Sequence, residues 1–213
     1  MKPAPFDYVA ATDLSEALDA LHDGGSDARV IAGGQSLVPM LNMRLARPTT
    51  LVDITRIPEL SRIEAKGDQI VIGAAVRQAT LESWPDLADR LPLVRAAIPW
   101  VGHTQLRNRG TVCGSVAHAD PSAELPLCLL ALGGTVTLRR RRKTRTVAAR
   151  DFFQGMMSTD LTPGEMITSV SIPARKQGTG YAFREVARRH GDFAIVACAA
   201  IARPDGSSAL TVG

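Results

Sequence analysis

Two glycine-rich segments hold the residue types best able to do chemistry in this 213-residue chain. The first, Ala32-Gly33-Gly34-Gln35-Ser36-Leu37, follows an apolar run at Arg29–Ala32 that reads as a short buried strand. Consecutive glycines let the backbone approach a ligand closely, adopt positive φ and turn successive N–H groups into one concavity, and Ser36 adds a hydroxyl donor. A diphosphate suits such a concavity. Taken alone, the Gly-Gly pair is better explained as a tight turn that needs a flexible backbone. The second segment, Arg107–Ser115 (RNRGTVCGS), is again small and donor-rich, and it runs into Val116–Pro121 (VAHADP). There Asp120 offers acceptors for sugar hydroxyls, and Pro121 prepares a following helix. Two such segments, about 75 residues apart, are what a pyrophosphate gripped from both sides requires.

Other candidate groups point to less. His103 and His118 are lone loop histidines, a pattern more typical of hydrogen bonding than of proton transfer or covalent attachment. The acidic residues show no paired spacing for general acid–base work. Cys113, Cys128 and Cys198 form no CxxC pair and no zinc or iron–sulfur spacing, and an odd count argues against a disulfide framework. Cys128 and Cys198 read as small buried hydrophobes, while Cys113 interrupts the second glycine segment.

The elements that must position these segments can be read from periodicity. Asp13 and Glu16 form a capping pair for a helix carrying Leu14, Ala17, Leu18 and Leu21, which ends near Gly24–Gly25. Pro39–Arg44 reads as a helical turn, Thr50–Ile54 as a strand, and Ser61–Ala75 as a hairpin turning at Lys66–Asp68. This βαβ-type region lacks GxGxxG between strand and helix, which counts against a Rossmann domain. Thr80 is expected to cap a helix through LESWPDLADRL, followed by helical PLVRAAIPW, a loop at His103–Gly110 and an apolar helix at Ala123–Leu132. Strands are expected at Thr135–Leu138, Thr146–Ala148, Met166–Ile172, Tyr181–Arg188 and Phe193–Ala202. The result is an α+β protein. Its boundaries are expected near residues 55 and 175, and its last residues (ALTVG) look like a strand that begins without its partners.

Composition is that of a soluble globular chain: 45% hydrophobic, 22% charged, mean hydropathy +0.03, with aromatics so scarce (4%) that the core must rest on Ala, Val, Leu and Ile. No apolar run reaches the roughly 20 residues of a membrane span, and the N-terminal MKPAPFDYVAATD lacks the apolar stretch of a secretory signal. A cytoplasmic setting is expected. The net charge of +4 comes from Arg139–Arg145 (RRRRKTR). Without its six cations, 19 basic residues face 21 acidic ones. The cluster reads as a solvated hairpin tip, with an acidic protein partner as the alternative. Nucleic acid is disfavoured because no aromatic interleaves the cations.

Three stretches together carry a family resemblance: AGGQSLVPMLNMRLARPTTLVDITRIPEL, LRNRGTVCGSVAHADPSAELP and FREVARRHGDFAIV. In this order they resemble the FAD-binding medium subunit of molybdenum hydroxylases, the carbon monoxide dehydrogenase medium-subunit and xanthine dehydrogenase flavin-domain family. The resemblance implies a PCMH-type FAD-binding fold of two α/β subdomains (1–55 and 56–175), with residues 176–213 as the truncated start of a C-terminal α+β domain. It implies a non-covalent FAD whose pyrophosphate meets Ala32, Gly33, Gly34, Gln35, Ser36 and Leu37 on one side and Thr111, Cys113, Gly114 and Ser115 on the other. Asp120 is implied as a cofactor contact, Ile167 and Arg184 as residues near the flavin, and Phe193 as an aromatic cover for the ring. Cys113 stands where the family's TxGGS pattern has its first glycine. A side chain there would crowd the phosphates or restrict φ if the position needs φ > 0, which predicts modestly weakened binding.

Function follows from the same resemblance. Electrons would pass from a large molybdenum-binding (molybdopterin) subunit, through the [2Fe–2S] clusters of a small subunit, to FAD on this chain and then to an external acceptor. The assembly implied is a dimer of heterotrimers. The alternatives are a self-contained PCMH-type flavin oxidoreductase and a non-catalytic assembly subunit.

Overall fold

Helix α1 (Leu14–Gly24) forms where the apolar spacing predicts it, with Leu14, Ala17, Leu18 and Leu21 buried along one side. Asp13 accepts from the Glu16 N–H at 2.9 Å, the Glu16 carboxylate accepts from the Thr12 N–H at 2.8 Å, and Gly25 closes the C-terminus at φ 54°. In the computed structural model, residues 2–213 are described. The helix packs on a three-stranded sheet of β1 (Asp7–Ala10), β2 (Ala28–Ile31) and β3 (Thr50–Asp53), ordered β1-β3-β2 and parallel throughout. Parallel strands need crossovers; α1 supplies one, and the first glycine segment with α2 (Leu37–Asn42) supplies the other. Strand β1 has no counterpart in the sequence reading. It is a four-residue edge strand with Tyr8 half exposed, so it lacks the apolar run that marks a buried strand.

A second, antiparallel sheet contains β4 (Ile63–Lys66), β5 (Gln69–Gly73), β6 (Thr135–Arg140), β7 (Lys143–Ala148) and, after the small hairpin β8 (Phe153–Gly155) and β9 (Ser158–Thr159), the central strand β10 (Met166–Pro173). Its order is β4-β5-β10-β6-β7, and β10 carries an irregularity between Ile167 and Ser169. The helices between β5 and β6 are short: α3 (Gln78–Glu82), α4 (Leu87–Arg90), α5 (Pro92–Ala97), α6 (Thr104–Arg107), α7 (Val112–His118) and α8 (Glu124–Ala131), with α9 (Ala149–Phe152) after β7. Two expectations fail here. Thr80 lies inside α3 and caps nothing, and LESWPDLADRL is broken, because Pro85 lacks an N–H and disfavours helical backbone at Trp84. The stretch His103–Gly110 is not all loop, since α6 occupies its middle.

Strands β11 (Gly180–Val186), β12 (Val196–Ala202) and β13 (Ser208–Val212) form a third, antiparallel sheet. The last strand therefore has a partner, Cys198↔Val212 through Ala202↔Ser208, contrary to the expectation that its partners are missing. The inner face, with Phe183, Ala197, Ala199 and Ile201, is buried, while Val186, Val196, Leu210 and Val212 face outward and are exposed. Helix α8 is apolar all round and buried from Glu124 to Leu129, between α5, α7 and this sheet. No helix among the described residues is long and apolar enough to cross a membrane.

The basic cluster is only partly a solvated tip. Its strands extend to Arg140 and from Lys143, which leaves Arg141 and Arg142 at the turn. Arg141 reaches Asp19 and Asp23 on α1 at 3.2 and 3.3 Å. Arg145 forks onto Glu165 at 2.8 and 2.7 Å and also pairs with Asp160. That fork holds the Glu165 carboxyl down at about 2, well below the usual carboxylate range. Between about pH 4.5 and 2 the unfolded chain therefore binds protons at this position that the folded chain does not, and acid costs stability there. Thermal melts should show Tm falling across this window, and Glu165→Gln should flatten the fall. An unchanged pH slope in that variant would refute the assignment.

Candidate functional site

The two glycine segments meet. A Cβ placed on Gly33 would lie 2.1 Å from the Arg109 carbonyl oxygen and 2.7 Å from the Gly110 Cα, so backbone touches backbone with no room for a methyl group. Gly34 turns the first segment at φ 71°, and the Gln35 side-chain amide donates to the Gly33 carbonyl at 2.9 Å. Gly110 and Val112 are anchored from behind: the Gln78 N–H donates to Gly110 at 2.8 Å, and the Val112 N–H donates to Val76 at 3.0 Å.

The second segment is not a loop. Thr111 is the N-cap of α7, its hydroxyl accepts from the Gly114 N–H at 3.0 Å, and Cys113, Gly114 and Ser115 are helical. A Cβ on Gly114 would sit 2.5 Å from that capping hydroxyl, which accounts for glycine there. Cys113 needs no positive φ, and its side chain is 2% exposed and directed at the Ile72 carbonyl. The expected crowding therefore does not arise, because the helical turn points the thiol into the core. Burial pushes that thiol up to about 12, which leaves it neutral and unreactive.

Around this contact runs a groove of about 1220 Å³, larger than the ~300–1,000 Å³ of ordinary small-molecule pockets. Ala32–Leu37 form one wall. Thr111, Cys113, Gly114, Ser115 and Asp120 form the second. Ile167, at the irregular start of β10, and Phe193 lie along the remainder. Asp120 accepts from the Ser122 N–H at 2.9 Å, just after the left-handed Ala119 (φ 52°). Phe193 is 77% exposed at the rim. Arg184 is not brought to the groove. It projects from the exposed face of β11 and donates to its neighbour's carbonyl, while Arg188 of the same motif lines the groove instead. The end of the strand decides this: Arg184 is held on the exposed face of β11, whereas Arg188, four residues on, lies beyond Val186 and is not bound to that alternation.

Several lining residues escaped the sequence reading. Met157 and Leu161 come from the β8–β9 hairpin and the following loop, and Gly102 from the turn before α6, where His103, read from sequence only as a hydrogen-bonding loop residue, also lines the groove. Glu124 opens α8. Burial pushes its carboxyl up to about 7, assisted by the charges of Glu185 and Asp120. Glu185, on the inner face of β11, is itself raised by burial, and both its oxygens lack partners. The only available signal was Glu124's place inside an otherwise apolar helix. Among the described residues no three His, Cys, Asp or Glu converge to hold a metal.

A parallel βαβ unit and an antiparallel sheet share a groove beside two close-packed, glycine-bearing backbone segments, an arrangement suited to a phosphate-bearing ligand. Residues 4–175 match the model of the FAD binding domain in molybdopterin dehydrogenase, and the chain belongs to that family. It is 46% identical over 205 residues to the 6-hydroxypseudooxynicotine dehydrogenase complex subunit alpha of Paenarthrobacter nicotinovorans, covering 96% of this chain and 69% of the relative. It is 39% identical over 208 residues to the carbon monoxide dehydrogenase medium chain of Hydrogenophaga pseudoflava, covering 98% and 72%. A solved carbon monoxide dehydrogenase from that organism superposes at TM-score 0.95 and 38% identity, over all of this chain and 75% of the other. Quinoline 2-oxidoreductase from Pseudomonas putida 86 gives the same values. The chain thus spans about 70% of the length of these curated relatives. It is an FAD-binding medium subunit of the molybdenum hydroxylase type, a flavoprotein component of an oxidoreductase.

Two outcomes test the groove. Gly33→Ala should fold less stably and bind FAD at least tenfold more weakly, as read by Tm and flavin fluorescence titration, because its methyl must push the two segments apart. Wild-type affinity in that variant would mean the contact is dispensable. A thiol reagent should modify only Cys198, the partly exposed cysteine, in the native chain and all three cysteines in denaturant. Rapid native labelling of Cys113 would contradict its burial.

Proposed function

We propose that this chain carries electrons within a molybdenum hydroxylase complex. It would receive them from the [2Fe–2S] clusters of a small partner subunit, fed by a large molybdopterin–molybdenum subunit, and pass them to an external acceptor. The reading includes a dimer of heterotrimers in the cytoplasm. FAD, when bound, supplies all of the redox chemistry; the residues of this chain bind and orient it and set its electrostatic surroundings.

The observation that carries the reading is the groove itself, about 1220 Å³ in volume and lined by both glycine segments where Gly33 meets Gly110. Its donor set fits a flavin dinucleotide. Backbone amides and the hydroxyls of Ser36 and Ser115 lie on the two walls that would hold the pyrophosphate. The Ser36 hydroxyl caps no helix N–H and is left for a ligand. Asp120 would accept from sugar hydroxyls, Ile167 would pack beside the ring, and Phe193 would cover it. Arg188 takes the role of nearby cation that the sequence alone suggested for Arg184, and a cation there would favour the reduced, anionic flavin. Residues 1–55 and 56–175 serve as the two halves of the grip.

Reconstitution with FAD should give one flavin per chain. Purification from its native host should bring iron and molybdenum with it, and substrate of the complex should bleach the flavin absorbance. Flavin uptake without co-purifying iron or molybdenum would favour a self-contained flavoprotein. Absence of any flavin band after reconstitution would count against the whole reading.

A further inference from the structure

The structure assigns to Arg107 the task of positioning the Val101–His103 wall of the FAD groove. The assignment rests on the FAD reading, and Arg107 itself is not among the groove-lining residues. It lies behind the wall, only 8% exposed, at the end of α6. Its Nε and Nη2 donate to the two Glu82 oxygens at 2.8 and 3.2 Å, and its Nη1 donates to the Val101 and Gly102 carbonyls at 3.1 and 3.0 Å. Four of the five guanidinium N–H groups are thereby used in one plane. Glu82, the last residue of α3, fixes the fork, and the fork fixes the peptides of Val101 and Gly102.

Those peptides need fixing. Gly102 sits at φ 50°, and without a Cβ its flanking peptides meet little steric resistance to rotation. Its carbonyl also supports the opposite wall. A Cβ on Gly191 would lie 2.9 Å from the Gly102 oxygen and 2.8 Å from the His103 ring, so the segment bearing Arg188, Asp192 and Phe193 rests on this turn. If the Gly102 carbonyl rotates, two stretches of groove lining move together. Lysine cannot replace the fork, because a single ammonium cannot span a carboxylate and two carbonyls in fixed geometry.

The test is FAD titration of the full chain by flavin fluorescence, with Tm measured in parallel. Arg107→Gln should raise the FAD Kd about tenfold, and Arg107→Lys should raise it by a smaller factor. Ile70→Ala, in the buried core of β5 away from the groove, should lower Tm while leaving Kd unchanged. A wild-type Kd in whichever Arg107 variant folds overturns the proposal. So does an equal rise in Kd for Ile70→Ala at matched Tm, which would make the effect one of general stability. A wild-type chain that takes up no FAD would remove the cofactor reading itself, whereas an FAD-binding wild type with an indifferent Arg107 removes this inference alone.

Discussion

The backbone contact between Gly33 and Arg109–Gly110 is the constraint on which the rest of the architecture depends. It joins the turn after β2 of the parallel sheet to the turn between α6 and α7, within the helical connection from β5 to β6. Neither segment presents a groove by itself, since each supplies a single wall. A methyl group on Gly33 would have to displace the Arg109 carbonyl, so the walls close only because that residue has no side chain. The hydrogen bonds from Gln78 and to Val76 then tie the Gly110–Val112 stretch to the core, which keeps the contact from drifting.

From that point outward, the molecule is built to hold rather than to react. The Cys113 thiol is neutral, Glu124 is drawn toward protonation by burial, and the strongest ion-pair network, Arg145 with Asp160 and Glu165, braces a hairpin. The groove lining comes from strand ends, helix starts and the turns between them. Such a site suits the proposed electron-transfer role, for which position and electrostatic surroundings matter more than proton transfer.

Much of this was legible in the sequence. The period of Leu14, Ala17, Leu18 and Leu21 gave α1 to within a few residues, the Lys66–Asp68 turn gave β4 and β5, and the two glycine segments marked two of the groove walls. What escaped has physical causes. Edge strand β1 is short and half exposed, so no apolar run announces it. Thr111–Ser115 looked like a loop because glycine and small residues dominate it, although threonine at its head is a capping residue. Arg184 and Arg188 differ only in where β11 ends, and strand ends are set by pairing with β12 rather than by local composition. Met157, Leu161 and Gly102 reach the groove through tertiary folding alone.

The burial of Cys113 has a further meaning for durability. Reduced flavins shed electrons to oxygen, and the products attack sulfur in proportion to its exposure and, for thiols, its ionisation. A neutral thiol at 2% exposure is a poor target, whereas the Met157 thioether stands at the groove rim with more than half its surface open. Of these two groove sulfurs the methionine is the more open to an oxidant, and methionine sulfoxide is damage that a cell can reverse.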